Sequence, residues 1–253
     1  MDTRAEPSAI ATMRAHLAAG LVGHETLIER LLIGVLSGGH LLVEGAPGLA
    51  KTRAVRWLAE AMTGGFARIQ CTPDLLPSDL TGTPIFRPQT GDFEFVPGPV
   101  FHNLVLVDEI NRAPAKVQSA LLEAMQERQV SIGGETHVLP SPFLVLATQN
   151  PLEQEGTYPL PEAQVDRFML KICIDYPNQE AEKQMLRNWQ NGSYHRHNSD
   201  AEPITTAEEV VEARKILESF KVEDSIIDYL SNLVQKSRNL SDLQLGASPR
   251  AAL

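Results

Sequence analysis

Apolar positions in this chain follow two rhythms that alternate over residues 1–175. Residues 24–37 place Leu27, Ile28, Leu31, Leu32, Val35 and Leu36 on one helical stripe, and Gly38 with Gly39 ends it. Short apolar runs follow at 41–43, 66–69, 104–107, 143–147 and 169–174. They are too brief for helices and are bounded by polar or turn residues. Helical spacing returns between them at 52–62 and most clearly at 116–128, where Val117, Ala120, Leu121, Ala124 and Met125 share a side. This alternation predicts an α/β fold, a parallel sheet sandwiched by helices.

Two segments break the alternation. Residues 84–97 read as a hairpin turning at Gln89-Thr-Gly-Asp92, and residues 129–139 alternate apolar and polar about Gly133 and Gly134. Such hairpins are either inert surface excursions or parts that touch a partner. Past residue 177 the strand signals stop. Helical patterns occupy 179–189 and 224–237, and a capping box (Thr205 with Glu208, or Thr206 with Glu209) opens another helix between them. The expected organisation is an α/β domain over 1–175 and an all-helical domain over 176–253. Ser248 as N-cap and Pro249 at the first helical position announce one more helix just before Leu253. The helical domain is therefore expected to be truncated at its C-terminal side.

Composition narrows the function without naming it. At 43% hydrophobic and 21% charged residues, the chain has the make-up of a soluble globular protein. No apolar run approaches the roughly 20 residues that span a bilayer, so no membrane insertion is expected. No apolar signal core follows Met1, so export is not expected. Cys71 and Cys173 match no metal or redox spacing and read as reduced core thiols. A cytoplasmic setting fits these points. The net charge of −10, with no basic stripe, argues against nucleic acid as the main partner. His195 and His197 lie in a polar stretch that reads as a solvated loop rather than a metal site.

The chemistry starts at residue 45. Gly45-Ala-Pro-Gly-Leu-Ala-Lys-Thr52 follows an apolar run and opens a helix. Gly45 and Gly48 let backbone N–H groups turn inward on a phosphate, with Ala46, Pro47, Leu49 and Ala50 completing the loop. Lys51 would neutralise the β- and γ-phosphates, and the Thr52 hydroxyl would ligate Mg²⁺. Alanine stands at position 50, where the usual motif has glycine. A methyl group is tolerable there if the residue has right-handed helical dihedrals. A second apolar run ends in Asp108 and Glu109. Phosphate-loop hydrolysis needs one carboxylate to hold Mg²⁺ and another to polarise the attacking water, roles that suit Asp108 and Glu109 respectively. A third run ends at Asn150, placed to reach the γ-phosphate or that water; asparagine before proline is equally an ordinary turn opener.

Taken together, these segments resemble the MoxR family of AAA+ ATPases. The resemblance rests on Gly45 to Thr52, Val107-Asp-Glu-Ile-Asn-Arg-Ala-Pro114, Gln118-Ser-Ala-Leu-Leu-Glu-Ala-Met-Gln-Glu127, Ala147-Thr-Gln-Asn-Pro151 and Gly246-Ala-Ser-Pro-Arg-Ala251. Ala50 is similar to the family's own form of the loop. The hairpins resemble the helix-2 insert and pre-sensor-1 hairpin of that branch.

The resemblance implies roles for matching residues. Asn150 would be sensor-1, Arg167 the finger that reaches a neighbouring subunit's nucleotide, and Arg250 the sensor-2 that reports the γ-phosphate to the lid. Leu21-Val-Gly-His-Glu25 resembles the loop beside adenine, which puts Val22 and Gly23 at the base; His24 is equally readable as a surface residue. The implied activity is Mg²⁺-dependent ATP hydrolysis in a homo-oligomeric ring, a hexamer. ATP would lie between the α/β domain and the lid. The implied work is chaperone-like remodelling, maturation or metal insertion of a client protein, with a von Willebrand A domain protein as partner. Two rival readings are a nucleic-acid-directed motor and an ATP-binding scaffold without significant turnover. The acidic net charge counts against the first, and the Asp108–Glu109 pair against the second.

Overall fold

The computed structural model describes residues 8–46, 48–150, 157–192, 203–243 and 245–252. Pro47, Pro151, His195 and His197 lie outside the described residues. Two helices open the fold, α1 (Ser8–Gly20) and α2 (Glu25–Ser37), and Gly38 in the left-handed region (φ 68°) ends the second. There follow β1 (Leu41–Glu44), α3 (Lys51–Ala61), β2 (Phe66–Gln70), the short α4 (Pro77–Thr81), and the hairpin strands β3 (Gly82–Arg87) and β4 (Asp92–Pro97). Next come β5 (Leu104–Asp108), α5 (Ala115–Glu127), the second hairpin β6 (Gln129–Ile132) and β7 (Glu135–Val138), and β8 (Leu144–Gln149). The chain continues through α6 (Glu162–Val165), β9 (Leu170–Cys173), α7 (Gln179–Gln190), α8 (Ala207–Glu218) and α9 (Asp224–Arg238).

All five short apolar runs are strands of one parallel sheet ordered β2-β5-β8-β1-β9. Alternate residues sort between two cores, as a pleat requires. Leu41, Val43, Leu104, Leu106, Leu144 and Leu146 join the core under α1, α2 and α3. Leu42, Val105, Val107, Val145 and Ala147 join the core under α5. Burial on both faces explains why these strands read as continuous apolar runs.

Several details correct the expectations. Arg87 pairs with Asp92, so the first hairpin turns through Pro88 to Gly91, one residue earlier than expected. Of the two candidate capping boxes, Thr206 with Glu209 forms: Glu209 N–H donates to Thr206 Oγ1 (3.1 Å) and Thr206 N–H to Glu209 Oε2 (2.8 Å). Cys71 is a buried thiol, whereas Cys173 is exposed, because it ends the edge strand β9. Burial, reinforced by the nearby Asp108 and Glu109 carboxylates, pushes the Cys71 thiol up to about 12.

The helices after residue 176 differ among themselves. Val210 and Ala213 of α8 are buried in the same core as α1 and α2. Arg214 Nε donates to the Val35 carbonyl near the end of α2 (2.9 Å). By contrast, α9 buries no residue among the described ones. No described helix is long and apolar enough to cross a membrane.

Candidate functional site

Parallel strands deliver their C-terminal ends to one edge of the sheet, and the chemistry-bearing residues gather there. Glu44 of β1 lies opposite Gln149 of β8, and Gln70 of β2 opposite Asp108 of β5. The loop that leaves β1 enters α3 at Lys51, so the helix N-terminus faces the same edge.

The loop is strained where the motif departs from glycine. Ala50 adopts φ 57° and ψ 12°, the left-handed region, and not the right-handed dihedrals under which alanine was expected to be harmless. The cost for an L-residue is about 1–2 kcal/mol. Gly48 is also left-handed (φ 84°). Lys51 folds back over the loop, its ammonium donating to the carbonyl of Gly45 and, at 3.5 Å, to that of Gln149.

The carboxylates are held by a hydrogen-bond network. Asp108 is buried. Its Oδ1 accepts from the Thr148 hydroxyl (3.0 Å), and that hydroxyl oxygen accepts from the Glu109 N–H (3.0 Å). Glu109 itself sits at φ 58° and ψ 51°, a second strained non-glycine residue at this edge. Thr52 Oγ1 donates to Asp108 Oδ2 at 3.4 Å. A hydroxyl and a buried carboxylate converging at the edge form an oxygen-only donor set that suits a hard cation such as Mg²⁺.

Three partners of these carboxylates were not legible as site residues. The Arg68 guanidinium contacts Asp108 Oδ2 through Nε (2.8 Å) and Nη2 (2.7 Å). Gln70 Nε2 donates to Glu109 Oε2 (3.1 Å), and Arg112 pairs with the same oxygen at 3.2 Å. Thr148 is a fourth. Arg68 and Gln70 are i and i+2 on β2 and so share a face, which was the available signal; only the register against β5 aims that face at Asp108.

A cleft of about 500 Å³ opens beside the loop, lined by residues 48–53, by His24, and by Tyr176, Pro177, Glu182 and Met185 from the chain entering α7. A separate small hollow of about 10 Å³ is lined by Val22, Ala50, Arg53 and Asn188 among others. Gly23 (φ 78°) closes against α7: a Cβ there would come within 2.4 Å of the Ala181 methyl. Gly23 thus packs directly on α7, which also contributes Glu182 and Met185 to the cleft. His24 is buried and, held neutral by that burial, titrates below its ordinary value. Asn150 is buried at the end of β8, next to Gln149.

Arg167 and Arg250 stand elsewhere. Both belong with the start of β9, whose Leu170 lies opposite Leu41, the first residue of β1. At about 3.3 Å per residue, the four residues of β1 put roughly 13 Å between that end and the phosphate loop. Arg250 Nη1 lies 3.5 Å from Asp166 Oδ2, and the Ser248 hydroxyl donates to Asp166 Oδ1 (2.6 Å). Arg250 is thus held by a carboxylate next to Arg167, at the end of the sheet away from the phosphate loop. Arg167 lines a polar hollow of about 620 Å³ with Glu123, Glu127 and Gln164.

Comparison with known proteins agrees with this arrangement. Residues 40–170 match the model of the ATPase family associated with various cellular activities (AAA). Chaperone MoxR1 of Mycobacterium tuberculosis is 48% identical over 92% of this chain. The chain belongs to the MoxR family of AAA+ ATPases. Bacillus subtilis YeaC, an uncharacterized protein, is 44% identical over 94% of the chain. A solved ATPase candidate from Cytophaga hutchinsonii superposes with a TM-score of 0.86 at 48% identity, covering 98% of this chain and 77% of its own. The chain spans 63% of the length of MoxR1 and 73% of that of YeaC. The MoxR assignment agrees with the expected family resemblance and with the parallel-sheet α/β fold.

Proposed function

We propose that this MoxR-family chain binds Mg²⁺·ATP in the cleft between the phosphate loop and α7 and hydrolyses it to ADP and phosphate. One observation carries the reading: Lys51 and Thr52 of α3, Asp108 of β5 and Glu109 just after it converge on one edge of the sheet beside a cleft of about 500 Å³. Lys51 leaves the Gly45 carbonyl to neutralise the phosphates, and the backbone N–H groups between Gly45 and Thr52, except at position 47, where proline has none, cradle them. Thr52 and Asp108 would hold Mg²⁺, which would supply positive charge against that developing on the phosphate oxygens. Glu109 polarises the attacking water and accepts its proton; Asn150 orients that water. Val22 and Gly23 sit along the base.

The two distant arginines serve a second subunit in this reading. Their position at the opposite strand end supports Arg167, with Arg250 beside it, acting on a neighbour's phosphates, which requires a homo-oligomer; a hexameric ring is the proposed form. The division into an α/β domain (1–175) and a helical lid (176–253) belongs to the same proposal, with α7 as the part that senses nucleotide and α8 as its anchor. Remodelling of a client protein, its maturation or metal insertion, work with a von Willebrand A domain partner, and a cytoplasmic setting complete the reading.

The test is equilibrium binding of a fluorescent ATP analogue with Mg²⁺ present. Removing the Lys51 ammonium, a charge-assisted contact of about 1.5–3 kcal/mol, is expected to weaken binding about 10- to 100-fold in Lys51→Ala. Equal affinity in the two proteins would remove the loop from the site.

A further inference from the structure

Resting on that nucleotide reading, we propose that Arg68 is a built-in competitor of the divalent cation, which holds Asp108 in the nucleotide-free chain and swings away when metal and nucleotide load together. Two guanidinium nitrogens, Nε at 2.8 Å and Nη2 at 2.7 Å, fork onto the single oxygen Oδ2 of Asp108. This is the same oxygen that faces the Thr52 hydroxyl at 3.4 Å. The other oxygen, Oδ1, is committed to Thr148. A metal held between Thr52 and Asp108, directly or through water, needs the space and the negative charge that Arg68 now occupies. Two cations cannot share one buried carboxylate oxygen without a large repulsion, and a guanidinium cannot shed its charge to accommodate the other.

The exchange is feasible because the two residues are buried unequally. The Asp108 side chain is 8% exposed and fixed from several sides, while that of Arg68 is 42% exposed and sits on the edge strand β2, free to pivot outward. Its second partner, the Gln70 side-chain oxygen at 3.2 Å, belongs to the amide that donates to Glu109. Departure of Arg68 therefore also releases the group next to the water-polarising carboxylate. Before loading, Arg68 satisfies a buried charge that would otherwise stand unpaired, which costs more than an exposed one. It also makes metal binding conditional. A free divalent ion must displace the arginine alone, whereas metal with nucleotide brings Lys51 and the helix N-terminus to bear at once.

The test measures binding rather than turnover. Fluorescent ADP is titrated into wild type, Arg68→Met and Arg68→Lys over a range of Mg²⁺ concentrations, and Mn²⁺ alone is titrated with electron paramagnetic resonance as the readout. Arg68→Met keeps the aliphatic stem and removes the charge. It is expected to lower the Mg²⁺ concentration at half-effect about tenfold, the size of one charge-assisted hydrogen bond. It should also bind Mn²⁺ without nucleotide at concentrations where wild type does not. Arg68→Lys, which keeps the charge, stays near wild type, and thermal melting verifies that all three proteins are folded. Coincident Mg²⁺ and Mn²⁺ curves for wild type and Arg68→Met, with ADP still bound, would overturn the competitor role and leave the nucleotide reading standing. Absence of ADP binding in the folded wild type would overturn both.

Discussion

Helices α2 and α9 carry comparable apolar stripes and meet opposite surroundings. In α2, Leu27, Ile28, Leu31, Leu32 and Val35 are buried in the core shared with the sheet and α8. In α9, Ile226, Ile227, Leu230 and Leu233 are between 41% and 54% exposed. Helical spacing states that one face of a segment should leave water; it does not state what covers that face. α2 finds its cover close in sequence, in the strand it precedes. The stripe of α9 has none among the described residues, and Leu240, Leu243 and Leu245 just beyond it are exposed as well.

The largest contrast to test is truncation of one leucine in each stripe. Leu31 is fully buried, and Leu31→Ala is expected to cost about 2–5 kcal/mol by lost burial plus a cavity. Leu233→Ala removes a side chain that is 54% exposed and is expected to change stability by about 0.5 kcal/mol or less. Urea denaturation of the chain as it stands checks both. A comparable loss in the two variants would mean that α9 is packed in solution.

A second contrast concerns pH, and it is located just past the end of α2. His40 is buried; its Nδ1 accepts from the Val145 N–H (2.9 Å) and its Nε2 donates to the Met125 carbonyl (3.1 Å). Those partners define one neutral tautomer, and a proton on Nδ1 would face a donor. Burial, aided by Arg128 and Arg214, lowers its pKa from 6.5 to about 4. Because the folded value is depressed, the unfolded chain takes up the proton first. The neutral ring's contribution is intact above pH 6.5 and falls away between 6.5 and 4, by about 3 kcal/mol in total. Urea midpoints at pH 7.5 and 5.0 should therefore separate for wild type more than for His40→Gln. Equal pH slopes would refute this. No such buried histidine exists among the described residues of α9, so its local stability should lack this dependence.

The same division describes what could be read beforehand. Wherever the cover is local or repeats across the sheet, the pattern sufficed: five apolar runs became five strands, and the capping box at Thr206 formed. The loop, Asp108 and Glu109 were legible because their chemistry depends on residue type at strand ends. Helix α1 was not read, because its three buried apolar residues, Ile10, Met13 and Leu17, are diluted by alanines in Ser8–Gly20. Ala50 was misjudged because the dihedral a residue must adopt is set by the loop's path and not by the residue. Arg112 is local, three residues after Glu109, and that spacing was the signal available. Thr148, Arg68 and Gln70 remained hidden because they act laterally, and lateral neighbours follow from register, which no single stretch of sequence contains. The position of Arg250 beside Asp166 is of the same kind, a contact across more than eighty residues.

In the proposed function, hydrolysis takes place at the C-terminal edge of the sheet, with Glu109 as the group that polarises water there. The direct measurement is ATP turnover by Glu109→Gln, set beside its affinity for ATP in the same preparation. A general base contributes about 10²- to 10⁴-fold, so turnover is expected to fall by at least about 100-fold while ATP affinity stays near that of wild type. Turnover equal to wild type at unchanged affinity would contradict the claim.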